Sequence, residues 1–119
     1  MEAGRRVRSQ PAPPHAIFEA LTEPDRDPAR PWLDLRDDEQ PPQLVEVDQP
    51  RLVIWSSLWA SRPDARVRFD MAAERGGEGT DLCWTLLVHA PPPDAALLEH
   101  MRKRLNQLIN ANLRYTFGQ

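Results

Sequence analysis

The side chains best able to do chemistry at neutral pH are three histidines and one cysteine, and their spacing gives them no shared site. His15, His89 and His100 are scattered, with no cysteine or carboxylate at ligand spacing, so each reads as a surface histidine rather than a metal ligand. Cys83 has no cationic neighbour in the sequence to lower its pKa and reads as an ordinary small residue. Walker loops, G-x-G-x-x-G, H-E-x-x-H and G-x-S-x-G are all missing, and Gly76-Gly77-Glu78-Gly79 lacks the lysine and following helix of a phosphate cradle. No metal and no cofactor is expected. The informative residues are large rings: Phe18, Trp32, Trp55, Trp59, Phe69 and Trp84. Such rings either fill a core or line an apolar pocket that has a few polar anchors. Asn112 and, more weakly, Ser57 are the polar candidates for the anchor role.

Positioning these groups requires a helix and a sheet. Asp94 follows Pro91-Pro92-Pro93 and can cap a helix that nothing interrupts until Gly118. At ~100° per residue, Leu97, Leu98, Met101, Leu105, Leu108, Ile109 and Leu113 form one apolar stripe, with Asn112 near its centre. Glu99, His100, Lys103, Gln107, Asn110 and Arg114 face the other way. About 24 residues at ~1.5 Å each make a rod of roughly 36 Å, which needs a broad sheet to cover it. Upstream, Arg5–Gln10 is a polar strand ended by prolines. Pro14 opens a short helix carrying Ile17, Phe18 and Leu21, and Asp25–Pro31 has room for one further helical turn at most. Asp37, Asp38 and Glu39 lie in a charged stretch that reads as a solvated loop. From Gln43 the period becomes two. Strands are predicted over Leu44–Asp48, Arg51–Trp59, Arg66–Glu74 and Thr80–Ala90, the last two joined by the glycine-rich turn. Val67, Phe69, Met71, Leu82, Trp84, Leu86 and Val88 point inward. Arg68, Asp70, Asp81, Cys83, Thr85 and His89 fall on the other face, where Arg68, Asp70, Asp81 and Thr85 read as a solvated surface with cross-strand ion pairs.

At 119 residues the chain suits one domain, 1–119, with a single core. A net charge of −3 leaves no basic excess to bind nucleic acid or anionic lipid. Fourteen of the fifteen cations are arginine, a pattern of high-GC, bacterial-type coding. One cysteine permits no internal disulfide, which fits a reducing cytoplasm. No apolar stretch follows Arg5 and Arg6, so no signal peptide is expected, and no run approaches the ~18 apolar residues of a membrane span.

Three segments carry a family resemblance. PAPPHAIFEALTEPDRDPARPW is similar to the opening of START-like, or SRPBCC, proteins, with a Pro-ended strand, a Phe/Leu helix and a closing Trp. LVEVDQPRLVIWSSLW resembles their V-x-E-V-x-x-P-x-R-L-V hairpin, and VRFDMAAERGGEGTDLCWTLLVH their last hairpin. The nearest branches are polyketide cyclase/dehydrase-like and chaperone-activator-like. The resemblance implies an α+β helix-grip fold: a curved antiparallel sheet of about five or six strands around the long C-terminal helix, with two short helices after the first strand. It also implies noncatalytic binding of a small hydrophobic molecule (lipid, polyketide or similar) between sheet and helix. Phe18, Trp32, Trp55, Ser57, Phe69, Met71, Trp84, Leu86, Met101, Leu105, Leu108 and Asn112 would line that pocket. Two alternatives stay open. One is a protein-interaction module with a filled cavity, favoured because Leu33–Pro42 replaces the strand or two that relatives carry there. The other is a cyclase/dehydrase-like enzyme, which needs a general acid or base inside, with His89 the best candidate if the last strand shifts by one residue. Leu44–Asp48, as an antiparallel edge, could pair in a homodimer.

Overall fold

The computed structural model describes residues 1–26 and 31–117. Five strands, β1 (Glu2–Gln10), β2 (Leu44–Asp48), β3 (Leu52–Trp55), β4 (Arg66–Ala73) and β5 (Thr80–Leu87), form one curved antiparallel sheet in the order β1-β5-β4-β3-β2. A short helix, α1 (Pro14–Thr22), follows β1, and a long helical segment closes the chain. The second short helix expected within Asp25–Pro31 falls largely outside the described residues.

Local chemistry sets most boundaries. Pro14 sits in the first turn of α1, and Ile17, Phe18 and Leu21 bury its inner face. The β4–β5 turn closes with Glu74 N–H donating to the Gly79 carbonyl at 2.9 Å, and Gly76 takes a φ of 76° that favours glycine. Gly79 also allows close passage of β1: a Cβ there would lie 2.3 Å from the Gln10 carbonyl oxygen.

Two predicted strands are shorter than expected. The strand read as Arg51–Trp59 ends at Trp55 because the Ser57 hydroxyl turns back locally, accepting from Trp59 N–H at 3.0 Å and donating to Trp59 C=O at 2.9 Å. The strand read as ending at Ala90 stops at Leu87, which pairs with Arg66 at the start of β4. Two residues later, His89 N–H donates to the Asp64 carboxylate at 2.8 Å instead of to a ladder partner.

The inward faces are as the alternation predicts, with Val67, Phe69, Leu82, Trp84, Leu86 and Val88 all buried. The outer face is not simply solvated. Cys83 and Thr85 are buried, because Arg5 on β1 and Arg68 on β4 flank Thr85 in register and their stems cover the strand between them. Arg5 Nε is 3.3 Å from Cys83 Sγ, so the cysteine does have a cationic neighbour, 78 residues away in sequence. Arg68 pairs with Asp70 along its own strand at 2.9 Å rather than across strands.

The terminal helix begins as α2 (Ala95–Gln107), where Asp94 accepts from Leu97 N–H at 2.8 Å. It is interrupted by a π-helical stretch, Leu108–Leu113, before a last α-helical turn, α3 (Arg114–Thr116). Five residues apart, Leu108 and Leu113 would diverge by about 140° on an α-helix; the wider π turn brings both onto the buried side. Gln10, itself fully buried, donates through Nε2 to the Ile109 carbonyl at 3.1 Å within this stretch.

Candidate functional site

Ten of the twelve residues expected to line a pocket fall in one buried cluster. Phe18, Trp32, Trp55, Phe69, Met71, Trp84, Leu86, Met101, Leu105 and Leu108 belong to the same core beneath the sheet. Trp32 stacks on Trp55 with centroids 5.9 Å apart, and Trp55 meets Phe69 edge-on at 4.7 Å. Three indole N–H groups are used internally: Trp32 donates to Ala20 C=O at 3.3 Å, Trp55 to Leu21 C=O at 2.9 Å and Trp84 to Asn106 Oδ1 at 3.2 Å. The rings are held by one another and by α1. They pack into one cluster beneath the sheet.

The two polar candidates lie elsewhere. Asn112 is half-buried and donates to Trp32 C=O at 3.3 Å, so its amide ties the helix to the chain after α1. Ser57 is buried, but its hydroxyl is engaged with the Trp59 backbone.

Asp37 and Asp38 are exposed, as the sequence suggests, but Glu39 is not, and the stretch forms a strap along the terminal helix. Arg36 donates to Gln107 Oε1 at 2.8 Å, Asp38 meets His100 Nε2 at 2.8 Å, and Arg104 Nε reaches both Glu39 oxygens at 3.0 and 2.7 Å. The Glu39 and Arg104 side chains are 0% and 1% exposed, and Arg104 also donates to Asp34 C=O. Glu39 bridges Trp59 in antiparallel fashion, which fixes the strap to the chain beyond the end of β3. Two donors in this region, Trp59 Nε1 and Arg104 Nη1, are buried without a partner among the described residues. Nothing in the local sequence marks the Glu39–Arg104 pair, whose members lie 65 residues apart.

Openings lie around this core, among them one of about 260 Å³ against His15, Phe18 and Thr22. A second, of about 170 Å³, lies between α1 and the end of the helix, against Ala16, Ala20, Pro24, Trp32 and Phe117, with Glu19, Glu23, Arg26 and Thr116 also on its wall. Trp32 is the only expected site residue on it. The alanines carried no sequence signal, being unremarkable in an amphipathic helix. A third opening, of about 420 Å³, lies between β1 and α2 and is polar. His89, the candidate base, is exposed beyond the end of β5. Its backbone N–H is the main reason the Asp64 carboxyl is held below its usual pKa, with Arg62 at 3.0 Å adding to the effect. Among the described residues, no three His, Cys, Asp or Glu side chains gather as a metal site, and no helix is long and apolar enough to cross a membrane.

The sequence matches no protein-family model and no curated protein. Solved structures match it in fold. CalU16 from Micromonospora echinospora aligns with a TM-score of 0.71 and 19% identity over 96% of this chain and 73% of its own. Aha1 from Colwellia psychrerythraea, solved as a dimer, aligns at 0.69 and 15% identity over 92% of this chain and 91% of its own. DynU16, from the dynemicin biosynthetic locus, aligns at 0.70 and 20% identity over 96% of this chain and 46% of its own. The chain therefore has the helix-grip fold of START-like proteins, the superfamily its sequence resembles.

Proposed function

We propose that the chain is a noncatalytic binding module that takes a small hydrophobic group against Trp32, in the opening between α1 and the helix end, rather than in a deep cavity. The observation that carries this reading is a recess of about 170 Å³ with a largely apolar wall, bordered by Glu19, Glu23, Arg26 and Thr116, beside the buried ring cluster. An apolar void of ~150 Å³ is enough to take up benzene, so one ring or a short acyl segment would fit. A neighbour of the same fold encoded at a biosynthetic locus is in keeping with small-molecule binding. The cyclase reading has less support, because His89 is exposed and the inner faces of β3 to β5 carry apolar side chains.

The test is titration with an apolar fluorescent probe, read by tryptophan quenching. Saturable one-to-one binding is expected, weakened at least about tenfold by Ala16→Leu, which fills the recess, since one tenfold step corresponds to ~1.4 kcal/mol. Binding that is absent, or unchanged in the folded Ala16→Leu protein, would refute the proposal.

A second reading, as a protein-interaction module, rests on β2. All five of its residues are exposed, including Leu44, Val45 and Val47, at the sheet edge where, among the described residues, no further strand pairs with it. A homodimer through this edge would dissociate in Val45→Lys, as read by sedimentation.

A further inference from the structure

The polar opening between β1 and α2 has a composition and a rigidity that its surroundings do not require. Arg6 stands opposite Trp84 in the β1–β5 register, so its side chain rises on the helix side of the sheet. Arg102 reaches the same place from α2. Its Nε donates to Ala3 C=O at 2.6 Å, and its stem lies over Gly4, where a Cβ would come within 3.0 Å of Arg102 Cγ. The guanidinium is thereby fixed to the strand, with its two terminal nitrogens left for another partner. One helical turn on, Asn106 shares that face. Its Oδ1 accepts from both Trp84 Nε1, at 3.2 Å, and Asn110 Nδ2, at 3.0 Å. Two donors at the oxygen fix the orientation of the amide and leave its NH₂ group without an acceptor among the described residues.

The opening therefore gathers two guanidiniums and an amide NH₂, all donors. Among the described residues no carboxylate bridges Arg6 or Arg102. Glu2 is the one acid on the rim, and it lies close enough to Arg5, on the outer face, to favour that cation. Free solvated arginines on a surface are common, and Arg6 is exposed, but Arg102 and the Asn106 amide are held in place before anything binds, and planar N–H forks match the two-oxygen edge of an oxyanion.

We propose that this opening binds a small-molecule oxyanion, a carboxylate or phosphate group, held by Arg102 and Arg6 with the Asn106 amide as third donor. At about 420 Å³ it has room for several atoms of the molecule bearing that group. Asn106 and Thr116 are separated by ten residues, ~15 Å along the helix, so this site is independent of the Trp32 recess.

The experiment is a titration of the full chain at constant ionic strength with inorganic phosphate, benzoate and chloride, following the Asn106 side-chain NH₂ and Trp84 indole N–H resonances by NMR. Saturable shifts with phosphate or benzoate, and none with chloride, are expected. Tighter binding of benzoate assigns a carboxylate ligand, and tighter binding of phosphate a phosphate ester. Arg102→Gln should weaken the preferred anion about tenfold, the loss of one charge-assisted contact. Gly4→Ala keeps every charge but displaces Arg102 from β1, and it should weaken binding as well; circular dichroism verifies that each variant folds. Shifts that do not saturate, that chloride reproduces, or that survive both substitutions would overturn the proposal and leave Arg6 and Arg102 as solvated surface charges.

Discussion

Replacing Glu39 with alanine would strand the Arg104 guanidinium in a site where 1% of its side chain meets solvent. In the native protein Glu39 accepts twice from Arg104 Nε and once from Arg36 N–H at 2.9 Å, and Arg104 Nη1 is already without a partner among the described residues. After the substitution the cation keeps only the Asp34 carbonyl. Removing one member of a buried ion pair costs about 3–5 kcal/mol, most of it the penalty of an uncompensated charge. With unfolding entropy near 2.1 cal/mol/K per residue, a chain of 119 residues loses about 4 °C of Tm per kcal/mol, so the melting midpoint should fall by roughly 12–20 °C. Thermal unfolding followed by circular dichroism, with urea unfolding as a second measure, reads the change. Glu39→Leu combined with Arg104→Met removes both charges and should recover most of the loss, since an apolar pair of similar volume is commonly neutral or better. A Glu39→Ala midpoint within about 4 °C of the parent, or additive effects in the double variant, would refute a buried, coupled pair beneath the strap.

Two further outcomes follow from the geometry. The folded-state pKa of Asp64 lies below its unfolded value near 3.9, so the stability it contributes is full above that value and is lost as pH falls through the folded one. Asp64→Asn should cost about 1–2 kcal/mol at pH 7 and flatten the decline of stability below about pH 4; an unchanged acid limb would contradict the His89 and Arg62 contacts. Gly79→Ala would press a methyl group on the Gln10 carbonyl, a backbone atom with little room to yield, and should destabilise by about 1–3 kcal/mol in urea unfolding. A neutral result would mean that β1 and β5 do not approach so closely there.

Much of the architecture is legible because it is periodic. Alternation over Arg66–Ala73 and Thr80–Leu87 places Phe69, Trp84 and Leu86 correctly, and the capped amphipathic run from Asp94 places Met101, Leu105 and Leu108. What stays hidden is long-range and polar. Glu39 reads as solvated because its partner is on another element 65 residues on, and Cys83 reads as lacking a cationic neighbour because Arg5 reaches it from β1. The π turn cannot be seen in an apolar stripe; a buried Gln10 amide on Ile109 C=O becomes visible only once β1 and the helix meet. The site was legible only as a set of rings. That those rings would consume their own N–H groups on Ala20, Leu21 and Asn106 depends on how closely α1 and α2 approach them.

The sheet order carries a consequence for how the chain is made. Among the described residues β1 has β5 as its sheet neighbour; Gln10 and Ala3 bond the terminal helix at Ile109 and Arg102, and the Ser9 hydroxyl donates to Glu74 in the β4–β5 turn. During vectorial synthesis the ladder partners of β1 emerge some seventy residues or more after it, so the first strand must wait with its backbone edges open. Its composition suits that interval. Val7 is its lone branched aliphatic among Arg5, Arg6, Arg8, Ser9 and Gln10, and such a polar, cationic strand is poorly matched to self-association before its proper partner arrives. The strand that closes the sheet last is thus the one least able to stick to a neighbouring nascent chain.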